Sequence, residues 1–366
     1  GCQKDVVLES NLGNSITIRP SLGLQVKSED PHALAADNLE TFNVYAQTAD
    51  STAYFENVDF VKNASGTYAS ADKYYWPKTG ALNFYAYAPV SGTGLTRSAY
   101  NAWTLTQQSE AASQPDFIVA LNSGDKENNA TAGVSLNFRH AMSKVSLKVK
   151  NTSKTILINV THWKLAYLYD GGTFTLTEEN TNGAALLAAA DWTLTSNTQS
   201  VATCALSAPI ATPVTVYGNT TTATAIDGLE DFIIIPQELK DSVSYDDDNK
   251  FAGSYVAVEM EIRNAADSSV IVGKQWCCWP VSTALEAGKH YTFVVDLSNG
   301  GYQEDNDPNS DGPSPYQPDD DPRNPDDPRK NPDPVLNDAS IKFVTVTVDA
   351  WTEAGDIDAG VPDSLL

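Results

Sequence analysis

Short segments with the composition of β-strands recur along the whole chain, whereas segments with the composition of a helix are scarce. The strand-like segments are rich in Val, Ile, Thr, Phe and Tyr, and clusters of Asn, Gly, Asp and Ser separate them. The best helix candidate is the short Ala-rich stretch 184–191. Strands that do not alternate with helices typically form sheets packed face to face, so the sequence predicts an all-β fold of two tandem antiparallel β-sandwich domains. The predicted strands are Ser15–Val26, Thr41–Gln47, Asp59–Lys62, Thr67–Ala69, Ala81–Ala88, Asp116–Leu121, Val134–Arg139, Lys144–Lys150, Ile156–Trp163, Ala166–Tyr169, Gly172–Leu176, Ser200–Cys204, Val214–Tyr217, Asp231–Pro236, Tyr255–Ile262, Val270–Val281, His290–Leu297 and Ile341–Trp351.

A polar, turn-like stretch over residues 122–133 separates two groups of predicted strands. The chain of 366 residues has the length of two domains of ordinary size. We therefore predict an N-terminal sandwich over residues 1–133, which begins with the strand Ser15–Val26, and a C-terminal sandwich over residues 134–366.

The C-terminal domain includes a long acidic segment followed by a strand. Residues 302–338 are mostly Asp, Asn and Pro, a composition that predicts a disordered, self-repelling linker. Residues 340–352 contain no Gly or Pro and have the composition of a strand, which must pair with a sheet because its backbone groups need partners. The apolar positions of this strand are Ile341, Phe343, Val344, Val346 and Val348. Their parity changes between Phe343 and Val344, which predicts a β-bulge or burial on both faces.

The net charge excludes one class of partner. It is −24, with a sequence pI of about 4.3. Proteins that bind nucleic acid need Lys and Arg against the phosphates, so we predict no nucleic-acid partner. No apolar run is long enough to span a bilayer as a helix.

The chain starts Gly1-Cys2-Gln3-Lys4-Asp5, which resembles a bacterial lipoprotein after removal of its signal peptide. In lipoproteins this cysteine carries the lipid, so the resemblance implies lipidation at Cys2, export, and anchorage in the outer membrane. Gly1 is then either the residue before the processing site or a cloning remnant.

The other cysteines are Cys204 and the adjacent pair Cys277 and Cys278. Neighbours on a strand point to opposite faces, so the adjacent pair is poorly placed for a disulfide bond. A bond from Cys204 to one of them stays open, although the composition favours buried free thiols.

We predict no cofactor and no resident metal. No Cys/His spacing suggests zinc. The linker residues Asp307, Asn309 and Asp311 match the start of an EF-hand calcium loop, but the twelfth position is Pro318 where a bidentate Glu is needed.

Catalysis is also not expected. The chain has no Gly-x-Ser-x-Gly, no His-Glu-x-x-His and no Gly-rich loop that opens a helix. The four histidines, His32, His140, His162 and His290, lie in different predicted elements. Glu259 and Glu261 would share one strand face, but such acidic pairs are usually solvated, and we predict that the protein is not an enzyme.

Six phrases occur in a characteristic order. They are Tyr75-Trp76-Pro77, Leu82-Asn83-Phe84-Tyr85-Ala86-Tyr87-Ala88-Pro89, Asp116-Phe117-Ile118-Val119-Ala120, the stretch Val134–Val145, Phe232-Ile233-Ile234-Ile235-Pro236-Gln237, and Leu285–Phe293. Together with the N-terminal cysteine, this set resembles the fimbrillin family of Bacteroides-type pilus subunits. The resemblance implies transthyretin-like sandwich domains and a structural or tip subunit of a surface pilus that mediates cell adhesion. It also implies other pilin subunits as partners.

The resemblance further implies assembly by donor strand exchange. In this family a trypsin-like protease removes the N-terminal segment, and a strand of a neighbouring subunit fills the vacated groove. The exchangeable strand would carry Ile16, Ile18, Leu22, Leu24 and Val26. The predicted cleavage site is Lys27, because Arg19 precedes Pro20, a bond that trypsin-like enzymes generally refuse. The family more often has arginine here, so an uncut anchor subunit stays an alternative.

The strand 340–352 is the candidate donor. An extended linker could reach roughly 100 Å, so its length does not decide whether this strand pairs with its own domain or with a neighbouring subunit. The alternative function is a non-polymerising surface lipoprotein that binds a glycan or a host protein through exposed aromatic side chains.

Overall fold

The fold was obtained as a computed structural model, which describes residues 10–22, 34, 38–92, 94–166, 168–177, 191–195, 204–205, 214–216, 220, 222–239, 254–303 and 345–350. Nearly all regular structure in these ranges is β-strand, which confirms the all-β prediction. One short α-helix, α1 (Lys126–Asn129), lies in the described ranges, and no helix there is long and apolar enough to cross a membrane. The predicted Ala-rich helix over 184–191 lies almost entirely outside them.

Eleven of the described strands precede residue 141. They are β1 (Ser10–Ser15), β2 (Ile18–Leu22), β3 (Thr41–Thr48), β4 (Ala53–Lys62), β5 (Tyr68–Ala69), β6 (Tyr75–Pro77), β7 (Ala81–Ala88), β8 (Leu95–Ala99), β9 (Ala102–Thr106), β10 (Ile118–Asp125) and β11 (Val134–His140). Seven of them form one sheet in the order β2-β11-β10-β7-β3-β4-β5, and β1 pairs with β6. Side chains alternate along β7, so Leu82 and Phe84 enter the N-terminal core while Tyr85 and Tyr87 lie on the opposite face.

Fifteen strands follow residue 141 in the described part of the chain. They are β12 (Ser143–Lys150), β13 (Ile156–Ala166), β14 (Gly171–Thr175), β15 (Trp192–Leu194), β16 (Cys204–Ala205), β17 (Val214–Val216), β18 (Thr224–Ala225), β19 (Phe232–Ile234), β20 (Glu238–Leu239), β21 (Tyr255–Asn264), β22 (Val270–Pro280), β23 (Thr283–Ala284), β24 (Lys289–Asp296), β25 (Tyr302–Gln303) and β26 (Thr345–Ala350). One sheet has the order β18-β12-β24-β26 with β19 beside β12, and the other has the order β16-β13-β21-β22-β25 with β17 beside β13. One buried cluster contains side chains of both sheets, and in it Trp163 stacks on Phe232 with ring centroids 4.1 Å apart.

The predicted domain division after Gly133 falls within the N-terminal sheet. The next strand, β11, pairs parallel with β2 and antiparallel with β10. The polar stretch before it ends β10 and forms α1, so it connects two neighbouring strands of one sheet. The C-terminal sheets therefore begin with β12. The division into two domains over 1–133 and 134–366 stays a prediction.

A four-stranded sheet joins the two halves of the chain. Its order is β15-β14-β9-β8, so strands from before and after residue 141 share one ladder, and we call it the bridging sheet. Trp103 of β9 lies opposite Phe174 of β14. Both side chains are fully buried in a cluster that also holds Phe117 and Trp192. The two halves thus share a hydrophobic core in addition to their own.

The order of the strands determines which cysteines are close enough to form a disulfide bond. Cys277 and Cys278 are buried in two different clusters on opposite faces of β22. Cys204 lies in β16, which β13 and β21 separate from β22. Three strand spacings amount to about 14 Å, far beyond the Cα separation of a disulfide bond, so Cys204 does not pair with either residue.

Candidate functional site

The first strands of the chain lie against the edge of the seven-stranded sheet. The predicted single strand from Ser15 is divided here into β1 and β2, which pair with different sheets. The change of sheet takes place at Ile16 and Thr17. The Ile16 N–H donates to the Tyr74 carbonyl at 2.7 Å, and the Val134 N–H donates to the Thr17 carbonyl at 2.8 Å. The N-terminal segment therefore connects the β1–β6 pair to the large sheet.

Two isoleucines fix this segment in the core. Ile16 and Ile18 are 8% and 1% exposed, and they share a buried cluster with Trp76, Leu136 and Phe138. Because Thr17 between them is exposed, the alternation predicted for this strand holds over these positions. Full burial of an isoleucine side chain contributes about 1.5–3 kcal/mol, so the two anchor the segment firmly.

Parallel pairing explains how a proline fits into β2. The ladder runs from Ile18 opposite Val134 to Leu22 opposite Phe138. In a parallel ladder alternate residues direct their N–H and C=O groups to the same neighbour. Since Thr17 bonds to β11, Pro20 belongs to the set that points away from it. The missing N–H of Pro20 therefore costs no ladder bond, as is usual for proline in an edge strand.

A buried carboxylate holds the chain that follows the first strands. Asp116 Oδ2 accepts a hydrogen bond from the Leu34 N–H at 2.7 Å, and Asp116 Oδ1 lies 2.9 Å from His140 Nδ1. The side chains of Asp116 and His140 are 0% and 6% exposed. This carboxylate thus links the segment at Leu34 to the start of β10 and the end of β11. Nothing in the sequence near His140 indicated this partner.

Several predicted site residues lie outside the described residues. They are Cys2, Leu24, Val26, Lys27, Asp307, Asn309, Asp311, Ile341, Phe343 and Val344. The backbone of Arg19 lies in β2 opposite Ser135, and that of Leu22 opposite Phe138. Among the described residues, no group of three or more His, Cys, Asp or Glu side chains could hold a metal ion.

The strand that follows the acidic linker lies in a sheet of its own chain. β26 pairs antiparallel with β24, from Lys289 opposite Ala350 to Val294 opposite Thr345. Positions 346 and 348 are opposite Phe293 and Tyr291, whose side chains belong to the C-terminal core. In the described part of the chain, β26 has a strand partner on one side only. It is therefore an edge strand at the end of a long linker.

The described histidines each contact a polar side chain that is distant in sequence. His290 Nε2 lies 2.5 Å from Ser146 Oγ, beside a cavity of about 180 Å³ that Lys148 and Asp231 also line. His162 Nδ1 lies 2.9 Å from Glu259 Oε1. These contacts connect neighbouring strands.

The carboxyl of Glu259 has a shifted pKa. Burial would raise its pKa, but hydrogen bonds with Thr161 and His162 and the charge of Lys274 together hold the pKa below its ordinary value. Glu259 is therefore stabilised in its ionised form, as expected for a structural partner in a polar cross-strand network.

The sequence and the fold were compared with known proteins. The sequence profile described as fimbrillin-like matches residues 32–310. No curated protein matches the chain at a significant level.

One similar solved structure is that of a candidate cell adhesion protein from Bacteroides uniformis, with 14% identity, a TM-score of 0.47, and coverage of 92% of this chain and 99% of that one. A candidate cell adhesion protein from Bacteroides ovatus has 17% identity, a TM-score of 0.44, and coverage of 78% and 93%. A fimbrial assembly protein from Parabacteroides distasonis has 12% identity, a TM-score of 0.34, and coverage of 76% and 90%.

Proposed function

Because the chain belongs to the fimbrillin-like family, we propose that it is a structural or tip subunit of a surface pilus, assembles by exchange of β-strands and takes part in cell adhesion. The observation that carries the proposal is the position of β1 and β2. They are the first described strands of the chain, and β2 lies on the edge of a sheet with its isoleucine anchors in the core. Because these two strands precede all other described strands, their removal would leave the order of those strands unchanged.

Loss of this segment would create a groove that strongly favours refilling. It would uncover the apolar surface now covered by Ile16 and Ile18 and would leave the facing backbone groups of β11 without partners. A strand from another subunit can restore both the backbone hydrogen bonds and the buried side chains, which is the physics of β-augmentation.

Cleavage at Lys27 would release both strands together. Arg19 lies within β2, paired to β11 and followed by Pro20, so a protease that needs an extended, accessible substrate meets a poorer site there. After cleavage at Lys27 the new N-terminus, Ser28, would be six residues from Leu34, which Asp116 holds. The groove would then stay open at its edge while the rest of the domain remains anchored.

The donor strand in our proposal is β26, supplied by a neighbouring subunit. In the described part of the chain it pairs on one side only, and it follows a linker that could extend roughly 100 Å. Pairing with β24 would be the resting state, and pairing with the groove of another subunit the assembled state. A subunit whose β26 remains paired with its own β24 and whose N-terminal segment is not cleaved would serve as an anchor.

The proposed function also includes anchorage of the subunit at the cell surface. Lipidation at Cys2 would carry the precursor to the outer membrane, where a trypsin-like protease and other pilin subunits would be its partners. The role is structural and adhesive, and catalysis plays no part in it. The second candidate function, a non-polymerising surface lipoprotein that binds a glycan or a host protein, is favoured by the exposed ring of Tyr100 in the β8–β9 turn.

Limited proteolysis followed by electron microscopy tests the proposal. We expect an arginine- and lysine-specific protease to produce a chain that starts at Ser28, and we expect this chain to form filaments or end-to-end oligomers. The Lys27→Ala variant should resist both changes, whereas the control variant Lys62→Ala, altered in β4, should behave like the unmodified chain. A cut chain that stays monomeric would reject strand exchange, and a different new N-terminus would reject the cleavage site.

A further inference from the structure

A group of aromatic and polar side chains lies where the β8–β9 hairpin meets the seven-stranded sheet, and it plays no part in the proposed assembly. Its members are Tyr45 of β3, Glu56 and Asn57 of β4, and Arg97 and Tyr100 of the β8–β9 hairpin, and we call this group the tyrosine patch. It lies on the face opposite to the core that receives the N-terminal strand. Its accessibility is therefore independent of strand exchange.

A β-bulge brings two successive side chains of β4 to this face. Val44 pairs with Val58 and Ala46 with Phe55, so Tyr45 alone lies opposite both Glu56 and Asn57. In a regular strand successive side chains point to opposite faces. Asn57 adopts a left-handed conformation with φ of 50°, which Asn tolerates better than most residues. Bulges of this kind commonly re-aim side chains next to binding sites.

Hydrogen bonds hold these side chains in fixed orientations. The Tyr45 hydroxyl donates to Glu56 Oε1 at 3.2 Å, and Arg97 Nη1 donates to Asn57 Oδ1 at 3.1 Å. Arg97 also donates to Asn43 Oδ1 and to the Tyr85 carbonyl. Desolvation by burial lowers the pKa of Arg97 to about 10, which still leaves the guanidinium charged at neutral pH. The polar part of the patch is thus organised before any ligand arrives.

The rings of Tyr45 and Tyr100 form the aromatic part of the patch. Tyr100 lies in the turn between β8 and β9, where Gly, Asn and Asp are the usual residues, and it is 37% exposed. Its ring is inclined by 36° to that of Tyr45 at a centroid distance of 5.8 Å, and it meets the Tyr85 ring edge to face at 4.9 Å. Two inclined aromatic rings therefore meet at this surface, and the hydroxyl of one of them, Tyr45, contacts the Glu56 carboxylate.

From this geometry we propose that the tyrosine patch binds a neutral saccharide. The C–H face of a pyranose ring fits against an aromatic ring, and its hydroxyl groups need a fixed carboxylate and amide of the kind that Glu56 and Asn57 supply. Tyr, Asn and Arg at a rigid surface also form the typical composition of binding sites that combine stacking with adaptable hydrogen bonds. An anionic sugar is disfavoured because Glu56 is exposed and because three acceptors already engage Arg97.

The test uses the full, uncut chain, so that failure of pilus assembly does not affect it. Binding is measured by saturation-transfer NMR with methyl glycosides of neutral hexoses and N-acetylhexosamines, and on an array of neutral and anionic glycans. We expect Tyr100→Ala to weaken binding about tenfold, the size typical of a lost aromatic contact at the centre of a site. Tyr100→Phe should bind almost as the unmodified chain does, because it keeps the ring, and Glu56→Gln should bind more weakly.

The control variant is Ile271→Ala, which removes another exposed apolar side chain on the distant β21–β22 hairpin and should leave binding unchanged. Circular dichroism and thermal unfolding establish that each variant is folded. The proposal is overturned if no neutral saccharide binds at millimolar concentration, or if folded Tyr100→Ala binds as well as the unmodified chain. Binding of anionic glycans alone, or of a lysine-rich peptide alone, overturns it too.

Discussion

The carboxylate of Asp116 joins three parts of the chain that are distant in sequence. It accepts the Leu34 N–H and contacts His140 without exposure to solvent. We expect Asp116→Asn to lower the free energy of unfolding by about 1–3 kcal/mol, because a buried donor or acceptor then lacks a matched partner. The segment before Leu34 should also be cut faster by protease. Urea unfolding and the rate of limited proteolysis measure the two effects.

Asp59→Asn is the matched control for that variant. Asp59 is exposed and accepts a hydrogen bond from the Asn43 side chain at 2.8 Å, an acceptor role that Asn can keep. Its free energy of unfolding should change by less than about 0.5 kcal/mol. Equal proteolysis rates at residues 28–37 in the two variants would contradict a role of Asp116 in holding this segment.

Glu259 should make stability depend on pH in a definite direction. Its folded pKa is lowered, so its contribution to stability is fully present above the unfolded pKa and is lost as the pH falls through the folded pKa. We therefore expect Glu259→Gln to be less stable than the unmodified chain at pH 7. The difference should shrink below about pH 4, where both states of the unmodified chain become protonated. Urea unfolding at pH 7, 5 and 3.5 measures it, and a difference that is constant with pH would count against this account.

The polar partners of the described histidines could not be predicted from the sequence, because these partners are distant along the chain. The three described histidines lie in different elements, as predicted, whereas His32 lies outside the described residues. Asp116, however, is 24 residues from His140, and Ser146 is 144 residues from His290. Only the register between strands decides which side chains face each other, and a shift of one residue reverses the face. By contrast, Ile16 and Ile18 were predictable, because alternation alone places them on one face.

At the level of elements, the missed hairpin β8–β9 shows a different limit. Its sequence from Leu95 to Thr106 contains Arg97, Ser98 and Asn101, so it lacks the apolar run that marks a buried strand. Arg97 is accommodated because its guanidinium lies over the rings of Tyr87 and Trp103, at 4.9 and 5.2 Å from their centroids. The strands with clear alternation, such as β7, were predicted with the observed bounds.

The bridging sheet should couple the unfolding of the two halves. Trp103 is fully buried, with its ring 5.5 Å from Phe117 and 6.3 Å from Phe174 across the ladder. Truncation of a buried tryptophan to alanine typically costs about 3–5 kcal/mol. We expect Trp103→Ala to lose that stability and also to separate one unfolding transition into two, because the shared core is weakened. Calorimetry and tryptophan fluorescence during urea unfolding measure both effects.

Trp163→Ala provides a comparison of equal volume. Trp163 is fully buried in the core of the C-terminal sheets and stacks on Phe232, away from the bridging sheet. This variant should lose a similar amount of stability, but its probes in both halves should still report one transition. Coincident transitions in Trp103→Ala would show that the halves are coupled by other contacts.

For the molecule as a whole, the resemblance read from ordered sequence phrases agrees with the family to which the chain belongs. These phrases combine core side chains with turn residues, as with Leu82 and Phe84 of β7 and with Gly288, which has a positive φ just before β24. The sequence did not predict that the seven-stranded sheet continues to β11. A polar turn that continues one sheet has the same composition as a turn that separates two domains, and only the pairing of β11 distinguishes them.

The net charge of −24 sets an expectation for assembly of the whole subunit. Residues 302–338 hold eleven acidic and three basic residues, a net charge of −8 that the proposed donation of β26 would bring close to another acidic subunit. Salt screens such repulsion, with a Debye length of about 10 Å at 0.1 M and about 3 Å at 1 M. We therefore expect protease-cut subunits to associate faster as NaCl rises from about 0.01 M to 0.5 M. Light scattering follows the rate of association.

The variant with Asp319, Asp320 and Asp321 changed to Asn keeps the linker's length and prolines, and its rate of association should depend less on salt. Association that slows with salt would instead indicate attraction between opposite charges at the subunit contact.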